Sequence, residues 1–109
     1  MLLADRRGLA QTAPLAGRNS ALIVAAGRGD VLPVQRLLAA GADVNVRDAD
    51  GRTALLAATY VDSVAVVRRL IEAGAKVDAA DREGITPLFQ AQRQNSRDIV
   101  RLLEAAGAH

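Results

Sequence analysis

The chain has no cysteine and no tryptophan, and only one tyrosine, one phenylalanine and one histidine. Each shortage excludes something. Without Cys there is neither a disulfide nor a thiolate metal site, and the redox compartment is left open. With Tyr60 and Phe89 as the only aromatics, the chain cannot build a platform for successive nucleobases. Long apolar runs are also missing. None nears the roughly 20 residues of a membrane-spanning helix, and Met1-Leu2-Leu3-Ala4 is cut short by Asp5-Arg6-Arg7 before a signal core can form. The core of this 109-residue chain must come from Leu, Val, Ile and abundant Ala. Each Ala buries little, about 0.8 kcal/mol per carbon, yet it lets helices approach closely and has the best helix propensity.

A charge stripe of one sign is lacking as well. The net charge is 14 − 12 = +2. Arg6, Arg7 and Arg18 against Asp5 account for it, so residues 19–109 are neutral. A nucleic-acid binder should concentrate positive charge to displace counterions from phosphate, and this chain does not. Lys76 is the only lysine among the basic residues, which reads as coding bias of a bacterial kind rather than as function. With no visible leader the expected compartment is the cytoplasm, or a bacterial periplasm if a leader has been removed.

What the chain does have is a period. Gly8, Gly41, Gly74 and Gly107 stand 33 residues apart, and Gly41-Ala42-Asp43-Val44-Asn45 returns as Gly74-Ala75-Lys76-Val77-Asp78. Asp48/Asp81, Gly51/Gly84, Thr53/Thr86 and Leu55/Leu88 keep the same spacing. A repeat of this length marks a solenoid whose units bury their apolar faces against one another.

Three units are predicted, at about 19–47, 48–80 and 81–109. Each opens on a hydroxyl that can cap a short helix, at Ser20, Thr53 and Thr86, with Pro87 at a first helical position. A polar break follows at Gly29-Asp30, Asp62-Ser63 and Asn95-Ser96. A second helix then carries one apolar stripe: Val31, Val34, Leu37 and Leu38; Val64, Val67, Leu70 and Ile71; Val100 and Leu103. Gly41, Gly74 and Gly107 stop these helices in left-handed geometry. Asp48-Ala49-Asp50-Gly51 and Asp81-Arg82-Glu83-Gly84 have turn chemistry and predict a β-turn or short hairpin at each junction. Arg97 and Glu104 replace apolar residues of the earlier units and predict a wetted last face. Residues 1–18 read as an N-terminal segment or a degenerate capping half-unit, phased by Gly8.

The units resemble ankyrin repeats. The family signature Asp-x-x-Gly-x-Thr-Pro-Leu-His-x-Ala corresponds to Asp48–Ala58 and Asp81–Ala91. Its second signature, Leu-Leu-x-x-Gly-Ala-Asp-Val-Asn, corresponds to Leu37–Asn45 and Leu70–Asp78. The family His is replaced by Ile23, Leu56 and Phe89, so a hydrogen-bond network resting on it should be absent. The resemblance implies an all-α solenoid of stacked helix-turn-helix units with short β-hairpin or turn loops. It also implies a non-enzymatic scaffold that binds a folded protein on its concave face. A structural accessory subunit, ordered by its partner, is the alternative. Carried over by position, the face is Arg28 in the first unit, Asp50, Arg52, Tyr60 and Val61 in the second, and Arg82, Glu83, Ile85, Arg93 and Gln94 in the third. Tyr60 stands out, since Tyr and Arg are enriched among binding hot spots.

Catalysis finds no support in these residues. His109 is the last residue, and no second base lies near Ser20, Ser63 or Ser96 to activate a hydroxyl. Asp48/Asp50 and Asp81/Glu83 are close carboxylate pairs, but each offers too few oxygens for calcium and is explained as a solvated turn tip. Neither a cofactor nor a metal is implied, and the chain is expected to be a monomer.

Overall fold

A computed structural model of the chain describes residues 15–109. The half-unit predicted for the N-terminus falls largely at 1–14 and lies outside the described residues. Six helices follow in order: α1 (Leu15–Arg28), α2 (Val31–Ala39), α3 (Ala54–Tyr60), α4 (Val64–Glu72), α5 (Pro87–Arg93) and α6 (Arg97–Ala105). They form two rows. The inner row is α1, α3 and α5, each packed on the next; the outer row is α2, α4 and α6. Leu22, Leu55, Leu70, Ile99 and Leu103 are fully buried between the rows, with Ala26, Ala54, Ala58 and Ala91 at the close contacts. The fold is all-α, as the period predicts; among the described residues the only β-type pairing is an isolated bridge between Arg47 and Thr53.

All six helices end alike. The residue after each C-cap has positive φ: Gly29, Gly41, Asp62, Gly74, Asn95 and Gly107. Around Gly74, the Ala75 N–H donates to the Leu70 carbonyl at 3.0 Å and the Gly74 N–H to the Ile71 carbonyl at 3.0 Å. The same crossed pair recurs at the other five ends, satisfying carbonyls that a helix terminus would leave open. Asp62 and Asn95 replace glycine because short polar side chains tolerate left-handed backbone better than other residues do.

Each turn tip is built on one carboxylate. Asp48 Oδ1 accepts from the N–H groups of Asp50 and Arg52, and Asp81 Oδ1 from those of Glu83 and Ile85, all at 2.9 Å. Thr53 and Thr86 cap α3 and α5 as predicted, accepting from Leu56 N–H at 3.2 Å and Phe89 N–H at 3.1 Å. Ser63 caps α4 through Val66 N–H. Ser20 is a correction: it lies inside α1 and caps nothing. The first unit has Leu15 and Arg18 where the others have Asp48/Asp81 and Gly51/Gly84, so no tip forms and the helix runs on toward the N-terminus. Ser96 occupies the N-cap of α6 without a capping bond.

Units are also joined by side chains acting on the next unit's backbone. Asn45 Oδ1 accepts from Lys76 N–H at 2.8 Å, and Asp78 Oδ1 from His109 N–H at 3.1 Å. The equivalent amide of the first unit, Asp43 N–H, is taken by Asn19 Oδ1 at 2.7 Å, from the extra length of α1. Arg18 on the same stretch donates to the Ala40 carbonyl.

Two expectations test this packing. Leu70→Ala removes a fully buried side chain and should cost about 2–5 kcal/mol in urea denaturation. Gly51 and Gly84 both have positive φ, but a Cβ at Gly51 would meet Arg82 N at 3.0 Å while one at Gly84 meets nothing. Gly84→Ala should therefore cost about 1–2 kcal/mol for backbone strain alone, and Gly51→Ala clearly more. Equal urea midpoints for these two variants would contradict the tip-on-tip packing.

Candidate functional site

Turn tips and inner helices share one face. The tips touch directly, the Arg82 N–H donating to the Asp50 carbonyl at 3.0 Å. A tip then meets a helix where Arg52 folds its guanidinium over the Tyr60 ring, 4.9 Å from the centroid. One unit on, Arg93 lies over the Phe89 ring at 5.4 Å. An arginine stacked on an aromatic ring keeps its charge and its donor fork while losing rotamer freedom before any ligand arrives.

The predicted residues divide into two groups. Arg28, Asp50, Val61, Arg82, Glu83 and Arg93 are exposed, and Arg52, Tyr60 and Ile85 are half-buried. Gln94 is turned inward: its amide donates to the Thr59 carbonyl at 2.8 Å and to Ser96 Oγ at 3.3 Å, bridging the second and third units. Ser96, free of capping, thus serves this bridge.

Two residues of the face were not legible from the period. Phe89 is 51% exposed, though Leu56 at the same position is fully buried. Leu56 is covered by the third unit, and no unit among the described residues stands beyond Phe89. Gln90 is buried, and its side-chain carbonyl accepts from Arg93 while its amide donates to Gln94. Val24 and Ala57 hold that position in the other units, so a lone polar residue there was the signal available.

The electrostatics are uneven. Among the described residues the ion pairs are Arg69–Glu72 and His109–Asp78, and neither involves a tip or an inner helix. The alternating charges of Asp50, Arg52, Arg82 and Glu83 therefore do not neutralise one another by contact. Arg52 Nε is also buried without a hydrogen-bond partner, which costs roughly 1–3 kcal/mol when no partner is supplied. Surface hollows lie elsewhere, along the outer row, one of them between α2 and α4 lined by Gln35, Leu38, Arg69, Glu72 and Ala73. It is open and rimmed by charged side chains, so it does not enclose a small molecule.

The catalytic reading is not strengthened. His109 Nε2 lies 3.9 Å from Asp78 Oδ2 with its side chain 91% exposed. The Ser63 and Ser96 hydroxyls are occupied by the α4 cap and by Gln94. Among the described residues no three His, Cys, Asp or Glu side chains converge on a metal position.

In comparison with known proteins, the family model described as ankyrin repeats (3 copies) matches residues 18–109. No curated protein matches the chain.

If the stacked Arg52 is held for a ligand rather than for the fold, Arg52→Met should leave the melting temperature unchanged or raise it. The shorter apolar side chain keeps the packing of the aliphatic stem and removes the unpaired Nε. A fall of several degrees in a thermal scan followed by circular dichroism would make Arg52 a structural residue instead.

Proposed function

The chain belongs to the ankyrin repeat family, and we propose that it binds a folded protein partner on the concave face formed by the turn tips and inner helices. Ankyrin repeats are generally protein-interaction modules and typically non-enzymatic, and we read this chain as a non-catalytic, monomeric binder on that background. One observation carries the choice of face: Val61 and Phe89 are exposed there and Tyr60 is half-buried, interleaved with Arg52 and Arg93. Aromatic and arginine side chains in this arrangement are what dominate binding energy at interfaces. Core demands do not explain them. The buried layer is complete with aliphatic side chains and alanine, and neither aromatic is among its fully buried members.

The mechanism is recognition by a preformed surface. Carboxylate-built tips and capped helices fix the backbone, and stacking fixes the arginines, so little order is left to be lost on binding. The second and third units each contribute one tip and one short helix, the first unit contributes its longer inner helix, and contacts along the row add across units.

Affinity capture from source cells, with the wild-type chain and a variant changed together at Arg52, Tyr60 and Arg93, tests the proposal. A protein retained by the first and lost by the second is the expected result. Tyr60→Ala alone should weaken that complex more than tenfold, about 1.4 kcal/mol, while barely moving the melting temperature. A complex that survives the triple change would place the interface elsewhere.

A further inference from the structure

We infer that the segment received by this face is acidic, presenting two carboxylates about three residues apart on either side of an apolar side chain. The inference rests on the concave-face reading and adds the chemistry of its partner.

Three observations carry it. The face holds Arg28, Arg52, Arg82 and Arg93 against Asp48, Asp50, Asp81 and Glu83, but Asp48 and Asp81 are turned onto the amides of their own tips, which leaves four arginines against Asp50 and Glu83 to meet a partner. None of these groups is in an ion pair among the described residues, so the charge remains to be used. Arg52 and Arg93 are also held in place, one over Tyr60 and one over Phe89, and the second is further braced by the Gln90 carbonyl. A held guanidinium with open donors matches the geometry of a carboxylate, which it can bind through two parallel hydrogen bonds. In Arg52 the Nε is buried, so the terminal Nη groups are the donors that an arriving carboxylate would meet.

The spacing follows from the packing. Arg52 sits over a ring of α3 and Arg93 over a ring of α5, and adjacent packed helices have axes on the order of 10 Å apart. An extended segment advances about 3.3 Å per residue, so carboxylates about three residues apart reach both. Between them the exposed Val61 and Phe89 offer apolar contact. A nucleic acid fits less well. Asp50 and Glu83 interrupt the charge, and a polyanion gains most from an unbroken stripe.

The test is a selection of random peptides of about twelve residues, displayed on phage, on the wild-type chain. Peptides with two Asp or Glu about three residues apart around an apolar residue should be enriched. A synthetic peptide of the leading sequence should bind an R52Q/R93Q variant at least tenfold more weakly, and its Kd on the wild-type chain should rise with added NaCl. Changing its acids to Asn and Gln should cost a similar factor. Matched thermal melts show that the variant is folded; if they differ, each single substitution is used, with an expected loss of at least threefold. Selected peptides that are lost with Phe89→Ala or Tyr60→Ala but show no acidic preference would overturn the acidic segment and leave the face intact. Peptides indifferent to all these changes, or no enrichment, would overturn both. A single-stranded oligodeoxynucleotide of similar length that displaces the peptide at equal affinity would replace the protein partner with a polyanion.

Discussion

No unit of this chain is complete without its neighbour, and that incompleteness organises the rest. The backbone N–H two residues past each outer-helix glycine points out of its own unit. In the second and third units it is satisfied by a side chain of the preceding unit, Asn45 for Lys76 and Asp78 for His109, while in the first the extended α1 supplies Asn19 for Asp43. The apolar layer obeys the same rule, its fully buried side chains coming from all three units: Leu22, Leu55 and Leu103 among them. Stability in such a stack is a sum over units and nearest-neighbour interfaces. Hence the polar residue that ends the second signature motif, Asn45 or Asp78, is an inter-unit bond in disguise rather than a surface ornament. It leaves the stack's long faces free of any such duty.

Legibility followed periodicity. Features made within one unit and repeated in the next could be read from residues alone: the left-handed helix ends at Gly41, Gly74 and Gly107, the threonine caps, the aspartate-built tips. Features that depend on what stands on either side could not. Ser20 looked like Thr53 and Thr86, yet capping needs a chain that turns just before the helix. The first unit lacks the Asp and Gly that make it turn. Likewise the stripe of the last outer helix was read through Val100 and Leu103, whereas Ile99 and its counterpart Val66 are fully buried. Pro33 holds that position in the first unit and hid the apolar pattern.

The candidate site shows the same division. Position within the repeat sufficed to pick out Arg52, Tyr60 and Arg93, because the family geometry sends those positions to one face. It could not reveal that Arg52 stacks on Tyr60, that Arg93 stacks on Phe89, or that Gln94 turns inward to tie two units together. Those outcomes depend on side chains meeting across eight residues or across units, which spacing alone does not determine. Phe89 is the plainest case: at the position where Leu56 is fully buried, it is 51% exposed.

The energetic cost of the face explains why it is better read as functional than as decoration. A buried Nε without a partner on Arg52 works against folding. The same holds for a phenylalanine left half in water where a polar residue would serve. In a chain with only two aromatic residues, both lie beneath an arginine on the face that bears the tips. Stacking alone offsets little of that cost, about 0.5–1 kcal/mol for an exposed pair. On the proposed reading, a partner that meets the terminal donors of Arg52 and covers Phe89 with an apolar group would recover part of that cost on binding. Groups that are strained alone and satisfied together with a partner are how a rigid repeat surface acquires specificity, since a partner lacking the matching group would leave that cost in place.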